Sequence, residues 1–216
     1  MKNILVIGMG RSGRHLATKM QELGNDVMIV DKEEEAIEEL AANFTDSFIG
    51  DCTNEAVVRS LGVNNFDVCF VCIGENFQSS LEITALLKDM NAKYVVSKAN
   101  RDIQARFLKS VGADEVIYPE REIAEKLAIR FNADNVYDYI ELTDEYSIFE
   151  IPVVSGWIGK TVIDINVRRK YNVNIIAIKK GDVLCPLPGG DYEFAADDHL
   201  VVIGKSSDVF KLSAKK

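Results

Sequence analysis

The chain has 216 residues, of which 47% are hydrophobic and 27% charged. That balance suits a globular protein with a real core, in one large domain or two smaller ones, and it excludes a mainly disordered chain. Lys and Arg number 25 and Asp and Glu 34, a net charge of −9. Duplex nucleic acid is therefore a poor default partner, while a small phosphorylated ligand held by backbone amides stays open.

No apolar run approaches the roughly 18 residues that span a bilayer, and the first is too short for a signal peptide, so a cytoplasmic location is expected. Residues 4–7 read as a strand and 11–23 as a helix with Leu16, Met20 and Leu23 on one face. Strands follow at 26–31 and 47–50, separated by a charged helix over 33–42. Asn54 is placed to cap a helix ending near Leu61-Gly62. A strand at 67–73, a helix over 76–90, a strand at 94–97, a helix over 103–111 and a strand at 115–118 complete the alternation. The pattern predicts an α/β fold, a Rossmann-like doubly wound parallel sheet covered on both faces.

The pattern changes at Pro119. A helix over 120–131 and a polar break at 132–135 lead to β segments at 136–142 and 146–154, with Pro152 suggesting an edge position for the second. A short helix at 163–170, a strand at 174–178, a hairpin turn at 180–182 and strands at 183–185 and 199–203 make a small α+β unit. The expected division is a nucleotide-binding domain over 1–134, including the bridging helix, and a smaller domain over 135–216. Lys215-Lys216 reads as a solvated end.

Cys69 and Cys72 have C-x-x-C spacing, but side chains three apart on a strand point to opposite faces. They read as reduced core thiols rather than a metal or redox pair. His15 lies within the first helix and His199 beside an apolar run, and both read as structural.

The strongest local signal is Gly8-Met9-Gly10-Arg11-Ser12-Gly13, which follows an apolar strand and opens a helix. Glycines there allow a tight turn, close approach of backbone to pyrophosphate, and close helix–sheet packing. The helix N-terminus supplies free N–H groups. Asp31, ending the second strand, is placed to accept from ribose hydroxyls and to repel a 2′-phosphate, leaving NAD, NADH, ATP, ADP or AMP. Without a ligand the same turn would be a vestige of the fold. Arg11 either reaches a phosphate or lies on the helix surface. Gly50-Asp51-Cys52-Thr53, Ile73-Gly74-Glu75-Asn76 and Ser97-Lys98-Ala99-Asn100 follow later strands at the same sheet edge. Gly74 permits close approach to an adenine or ribose, and Lys98 can reach a phosphate. No residue stands out as the positioned acid or base that hydride transfer needs, so a binding module is favoured over an enzyme.

Through these motifs the sequence resembles the cytosolic gating subunits of bacterial potassium uptake systems, the RCK proteins of KtrA and TrkA type. Arginine after the second glycine, Gly112-Ala113-Asp114 and Tyr118-Pro119-Glu120 carry the likeness. So do Tyr146-Ser147-Ile148, Gly159-Lys160-Thr161, Asn166-Val167-Arg168 and residues 174–178 in the second half. One N-domain with one C-domain matches the KtrA arrangement.

The resemblance implies a homodimer assembling into an octameric ring beneath a membrane potassium-translocating subunit. It implies ATP/ADP, or NAD/NADH, as the ligands that switch the ring's shape. The nucleotide residues would be Gly8 to Gly13, Asp31, Lys32, Asp51, Cys52, Thr53, Ile73, Gly74, Glu75 and Lys98, with Arg11 reaching the γ-phosphate bound by a neighbour. It also implies a divalent cation, Mg or Ca, at Glu120, and cyclic di-AMP at Arg168, Asn174, Ile175, Ile176 and Pro188. Ile175 and Ile176 are otherwise ordinary strand residues, one on each face. An NAD-dependent oxidoreductase and an RCK regulator of a cation/proton antiporter are the alternatives.

Overall fold

The structure is a computed structural model that describes residues 1–132 and 135–214, Asn132 by its backbone alone. The chain divides into two compact units, Met1–Glu122 and Ile123–Lys216. The centre of the expected polar break, 133–134, and Lys215-Lys216 lie outside the described residues.

In the first unit β1 (Asn3–Ile7), β2 (Asp26–Asp31), β3 (Asp46–Ile49), β4 (Val68–Val71), β5 (Val95–Lys98) and β6 (Glu115–Ile117) form one sheet. Helices α1 (Arg11–Glu22), α2 (Glu34–Glu38), α3 (Glu55–Ser60), α4 (Phe77–Asp89) and α5 (Asp102–Ser110) connect them. The strand order is β3-β2-β1-β4-β5-β6, parallel throughout. This is the doubly wound order, and its reversal between β1 and β4 opens a crevice at the carboxyl ends of the strands.

Alternate residues of β1 serve two cores. Leu5 and Ile7 pack with Val30, Cys69, Val71 and Ile83, whereas Ile4 and Val6 pack with Ala17, Ile29, Phe70 and Cys72. The two cysteines thus lie in opposite layers, as the spacing predicts, although Cys72 falls just past the end of β4. Asn54 and Asn76 cap α3 and α4, accepting from Ala56 N at 2.9 Å and Ser79 N at 3.1 Å.

The helix expected over 33–42 breaks into α2 and a 3-10 turn, Ala41–Asn43. Glu34 and Glu38, and Glu35 and Glu39, are like-charge pairs four apart, and the last two oppose the helix dipole.

The long helix α6 (Pro119–Asn132) spans the boundary between the units. Beyond it β7 (Asp138–Glu141), β8 (Tyr146–Pro152), β9 (Val173–Lys180), β10 (Val183–Pro186) and β11 (His199–Lys205) form an antiparallel sheet in the order β10-β9-β11-β8-β7. Buried and part-exposed residues alternate along β8 and β11, as in a sheet covered on one face. The core beneath includes Phe149, Ile151, Trp157, Ile178, Phe194 and Leu200.

Here the structure corrects four expectations. β8 is internal rather than an edge. Pro152 fits because β7 pairs with β8 only as far as Glu150, so no ladder bond is asked of the proline nitrogen on that side, while Val153 N continues the ladder to Asp198 O. The helix expected at 163–170 is two short ones, α7 (Val162–Ile165) and α8 (Val167–Tyr171), because Asn166 is left-handed at φ 52°. A final helix, α9 (Ser206–Ser213), follows β11 where none was read. Ile175 and Ile176 do not simply alternate between faces: pairing with β11 slips from Val201↔Ala177 to Val202↔Ile175, leaving Ile176 as a bulge.

Asp114 ties α4 and β5 to the turn before β6, accepting from Val95 N at 2.7 Å and Lys88 Nζ at 3.0 Å. Burial pushes its carboxyl up, but the amide and the ammonium outweigh it and hold it below the usual range. Such a group stabilises fully above its ordinary pKa of about 3.9 and loses that contribution as pH falls through the lower folded value. Asp114→Asn should therefore lower the Tm at pH 7. The difference from wild type should close as pH is taken below about 3, followed by thermal melts across pH.

Candidate functional site

The glycine loop is built by contact. Gly8 has φ +96°, and a Cβ on Gly13 would stand 1.9 Å from Gly8 O. Glycine at position 13 is thus what lets α1 start directly against the strand-end turn. Gly10, at the N-cap of α1, differs: a Cβ there would meet nothing within 4 Å. It opens onto a cleft of about 490 Å³.

That cleft gathers the segments singled out by sequence. Gly8 and Gly10 line it from the loop, Asp31 and Lys32 from the end of β2, Asp51 and Cys52 from the loop after β3, and Ile73, Gly74 and Glu75 from the loop after β4. Other expected residues lie elsewhere. The Met9 side chain is buried in the core, and Gly13 packs beneath the loop. Thr53 donates its N–H and hydroxyl to Asp51 Oδ1, at 2.9 and 2.8 Å. Arg11 is exposed at the start of α1 and does not line the cleft. Ser12 Oγ accepts from Lys98 Nζ at 3.3 Å. Gly50 and Asn76 of the expected loops also line it, and Glu33, Ser79 and Ile83 do so without having been singled out. Ser79 had a signal, since the first turn of a helix following a strand must face this edge.

Asp31 already has work in the unliganded chain. Its Oδ2 accepts from Met9 N at 2.5 Å and its Oδ1 from Glu33 N at 3.0 Å. It thus ties the glycine loop to the end of β2. Asp51 is held ionised by the Thr53 amide and then the Thr53 hydroxyl, which pull its carboxyl below the usual range. Burial first, then Asp51 and Asp31, pushes the Cys52 thiol up to about 12. Cys72, also on the lining, is pushed up to about 12 by burial. Neither is a poised nucleophile. Lys98 Nζ lies 2.5 Å from Glu120 Oε1, which pulls the Glu120 carboxyl down. Among the described residues no three His, Cys, Asp or Glu side chains converge as metal ligands. Glu120 alone does not make a divalent site.

In the second unit Arg168, Asn174, Ile175 and Pro188 line one groove of about 470 Å³ with Ile163 and Asn166. Ile176, the next residue along the strand, does not line it. His199 Nδ1 lies 2.8 Å from Glu150 Oε1, and its ring stacks on Tyr137 with centroids 4.3 Å apart. His15 is exposed on α1.

A doubly wound domain with a phosphate-type glycine loop and a ribose-type acid, followed by a small α+β domain, defines a two-domain nucleotide-binding protein. The TrkA-N domain model matches residues 4–119 and the TrkA-C domain model residues 147–215. The chain therefore belongs to the RCK family of TrkA-N/TrkA-C proteins, in the single-N, single-C arrangement of KtrA. It is 36% identical over 214 residues to Ktr system potassium uptake protein C of Bacillus subtilis (strain 168), covering 99% of this chain and 97% of that one. It is also 36% identical over 208 residues to Ktr system potassium uptake protein A of the same organism, covering 96% and 94%. Among solved structures, the GsuK RCK domain superposes with a TM-score of 0.68 at 17% identity, covering 99% of this chain and 47% of that one. This chain thus spans about half of that structure's chain, and the likeness is one of fold.

The two glycines make separable predictions. Gly13→Ala should cost about 1–3 kcal/mol of stability through overpacking against Gly8, read by denaturant unfolding. Gly10→Ala should leave the unfolding midpoint unchanged and weaken nucleotide binding by roughly tenfold, read by calorimetry.

Proposed function

We propose that this chain is a nucleotide-sensing regulatory subunit of a membrane potassium-translocating protein. One observation carries the reading. The cleft that gathers the glycine loop, Asp31 and the loops after β3 and β4 lies in a chain related almost end to end to Ktr potassium uptake proteins. Among the described residues no helix is long and apolar enough to cross a membrane. In this reading the chain works at the cytoplasmic face, attached through its transporter partner. It is a sensor rather than an enzyme.

The ligand is ATP exchanging with ADP, with NAD or NADH as the alternative pair. Helix α1 presents its N–H groups to the phosphates, and Asp31 gives up Met9 N or shares its second oxygen to accept from the ribose. The exposed position of Arg11, outside its own cleft, suits a residue that reaches the γ-phosphate held by another copy. Homodimers assembled into an octameric ring supply that neighbour. A ligand then shifts the ring by its differential affinity for two shapes. A Mg or Ca ion at Glu120 needs further oxygens from phosphates and from Glu120 of a second copy. Calorimetry with ATP, ADP, NAD and NADH tests the reading. Arg11→Ala should weaken ATP by about tenfold and ADP much less. Binding of NAD and NADH alone, unaffected by Arg11→Ala, would discard the γ-phosphate switch.

The groove in the second unit is proposed as a cyclic di-AMP site. Its support is that Arg168, a phosphate partner, lies beside Ile175 and Pro188, an apolar surface for adenine. Arg168→Ala should abolish most cyclic di-AMP binding in equilibrium dialysis and leave nucleotide binding to the first unit intact.

A further inference from the structure

Lys98 ends β5 with its side chain 10% exposed, whereas the Glu120 side chain that it holds is 63% exposed. Its ammonium lies 2.5 Å from Glu120 Oε1 and 3.3 Å from Ser12 Oγ, and would stand 3.2 Å from a Cβ on Gly74. It is thus fixed between three places: the first turn of α1, the loop after β4 and the first turn of α6. The first two border the cleft. The third does not line it.

These exposures make the pair unequal. Glu120 can turn into water at little cost, because an exposed carboxylate is readily hydrated. Lys98 cannot follow it, and a largely buried ammonium without a counter-charge is expensive. A phosphate seated at the N-terminus of α1 brings a second anion toward the same ammonium. Two anions on one cation repel each other, and the one with easy access to water is the one that leaves.

We infer that Glu120 is an internal competitor for the nucleotide phosphate: it neutralises Lys98 in the unliganded chain, and a bound phosphate takes Lys98 over and releases Glu120 to solvent. This inference rests on the nucleotide reading of the cleft. It makes Glu120 a determinant of affinity that acts through Lys98. Phosphate binding is thereby read out as the loss of a contact in the first turn of α6. A divalent cation can use this Glu120 oxygen only once Lys98 has released it.

The test is calorimetry of the full chain in EDTA, with adenosine, ADP and ATP as probes. Glu120→Gln should bind ADP and ATP roughly three- to tenfold more tightly than wild type, and adenosine equally. Lys98→Met should weaken ADP and ATP and spare adenosine. In the Lys98→Met background, Glu120→Gln should change nothing. Wild-type binding of ADP and ATP that is unchanged or weakened by Glu120→Gln would overturn the competition, and would mean that Glu120 merely orients Lys98. Failure of wild type to bind any of the three probes would instead remove the nucleotide reading itself, and this inference with it.

Discussion

The first unit depends on one close contact, the approach of Gly13 to the carbonyl of Gly8. A Cβ on Gly13 would stand 1.9 Å from that oxygen, closer than any carbon tolerates. That proximity brings the N-terminus of α1 against the sheet at the point where strand order reverses. It leaves Gly10 facing open space on the cleft, beside the first turn of α1 whose amides lack helical partners. Asp31 then fastens the loop from the next strand through Met9 N. On the proposed reading, a binding surface for phosphate is a by-product of how tightly a helix is docked on a strand.

The electrostatics of the cleft divide the labour further. Asp31, Glu33, Asp51 and Glu75 line it, against the single ammonium of Lys32. Such a lining favours hydroxyl and amino donors and disfavours additional phosphate groups. On the proposed reading, negative charge is instead accommodated at one end, by backbone amides and by Lys98. A nucleotide bound as proposed would be oriented by charge as well as by shape, sugar toward the carboxylates and phosphates toward the helix.

Much of this was legible because parallel strands covered on both faces leave continuous apolar runs, and because glycine, asparagine caps and a terminal Asp punctuate them. The strand ending at Asp31, the cap at Asn54, the opposed cysteines and the four loop segments could be read from local chemistry. What escaped depended on partners distant in sequence. Whether Pro152 lies at an edge is decided by where β7 stops. The bulge at Ile176 arises from register with β11. The left-handed turn at Asn166 breaks a helix that residue types alone would continue. Met9 and Thr53 belonged to the right loops, yet only the fold shows that one faces the core and the other serves Asp51. The salt bridge between Lys98 and Glu120 joins residues from two separate elements and leaves no local trace.

The cysteines carry a consequence for the surroundings in which such a protein works. Oxidants and electrophiles attack thiolates, and a thiol with a pKa near 12 is ionised in only about one molecule in ten thousand at pH 8. Cys52 and Cys72 line the cleft and Cys69 lies in the core of the same unit, and all three are held in this state by burial. Peroxide or a reactive aldehyde would meet Cys185 on the exposed strand β10 of the other unit long before it met these. Sulfur at the cleft is therefore chemically quiet. An oxidant that modifies this protein would thus mark the second unit first and leave the chemistry of the cleft unaltered.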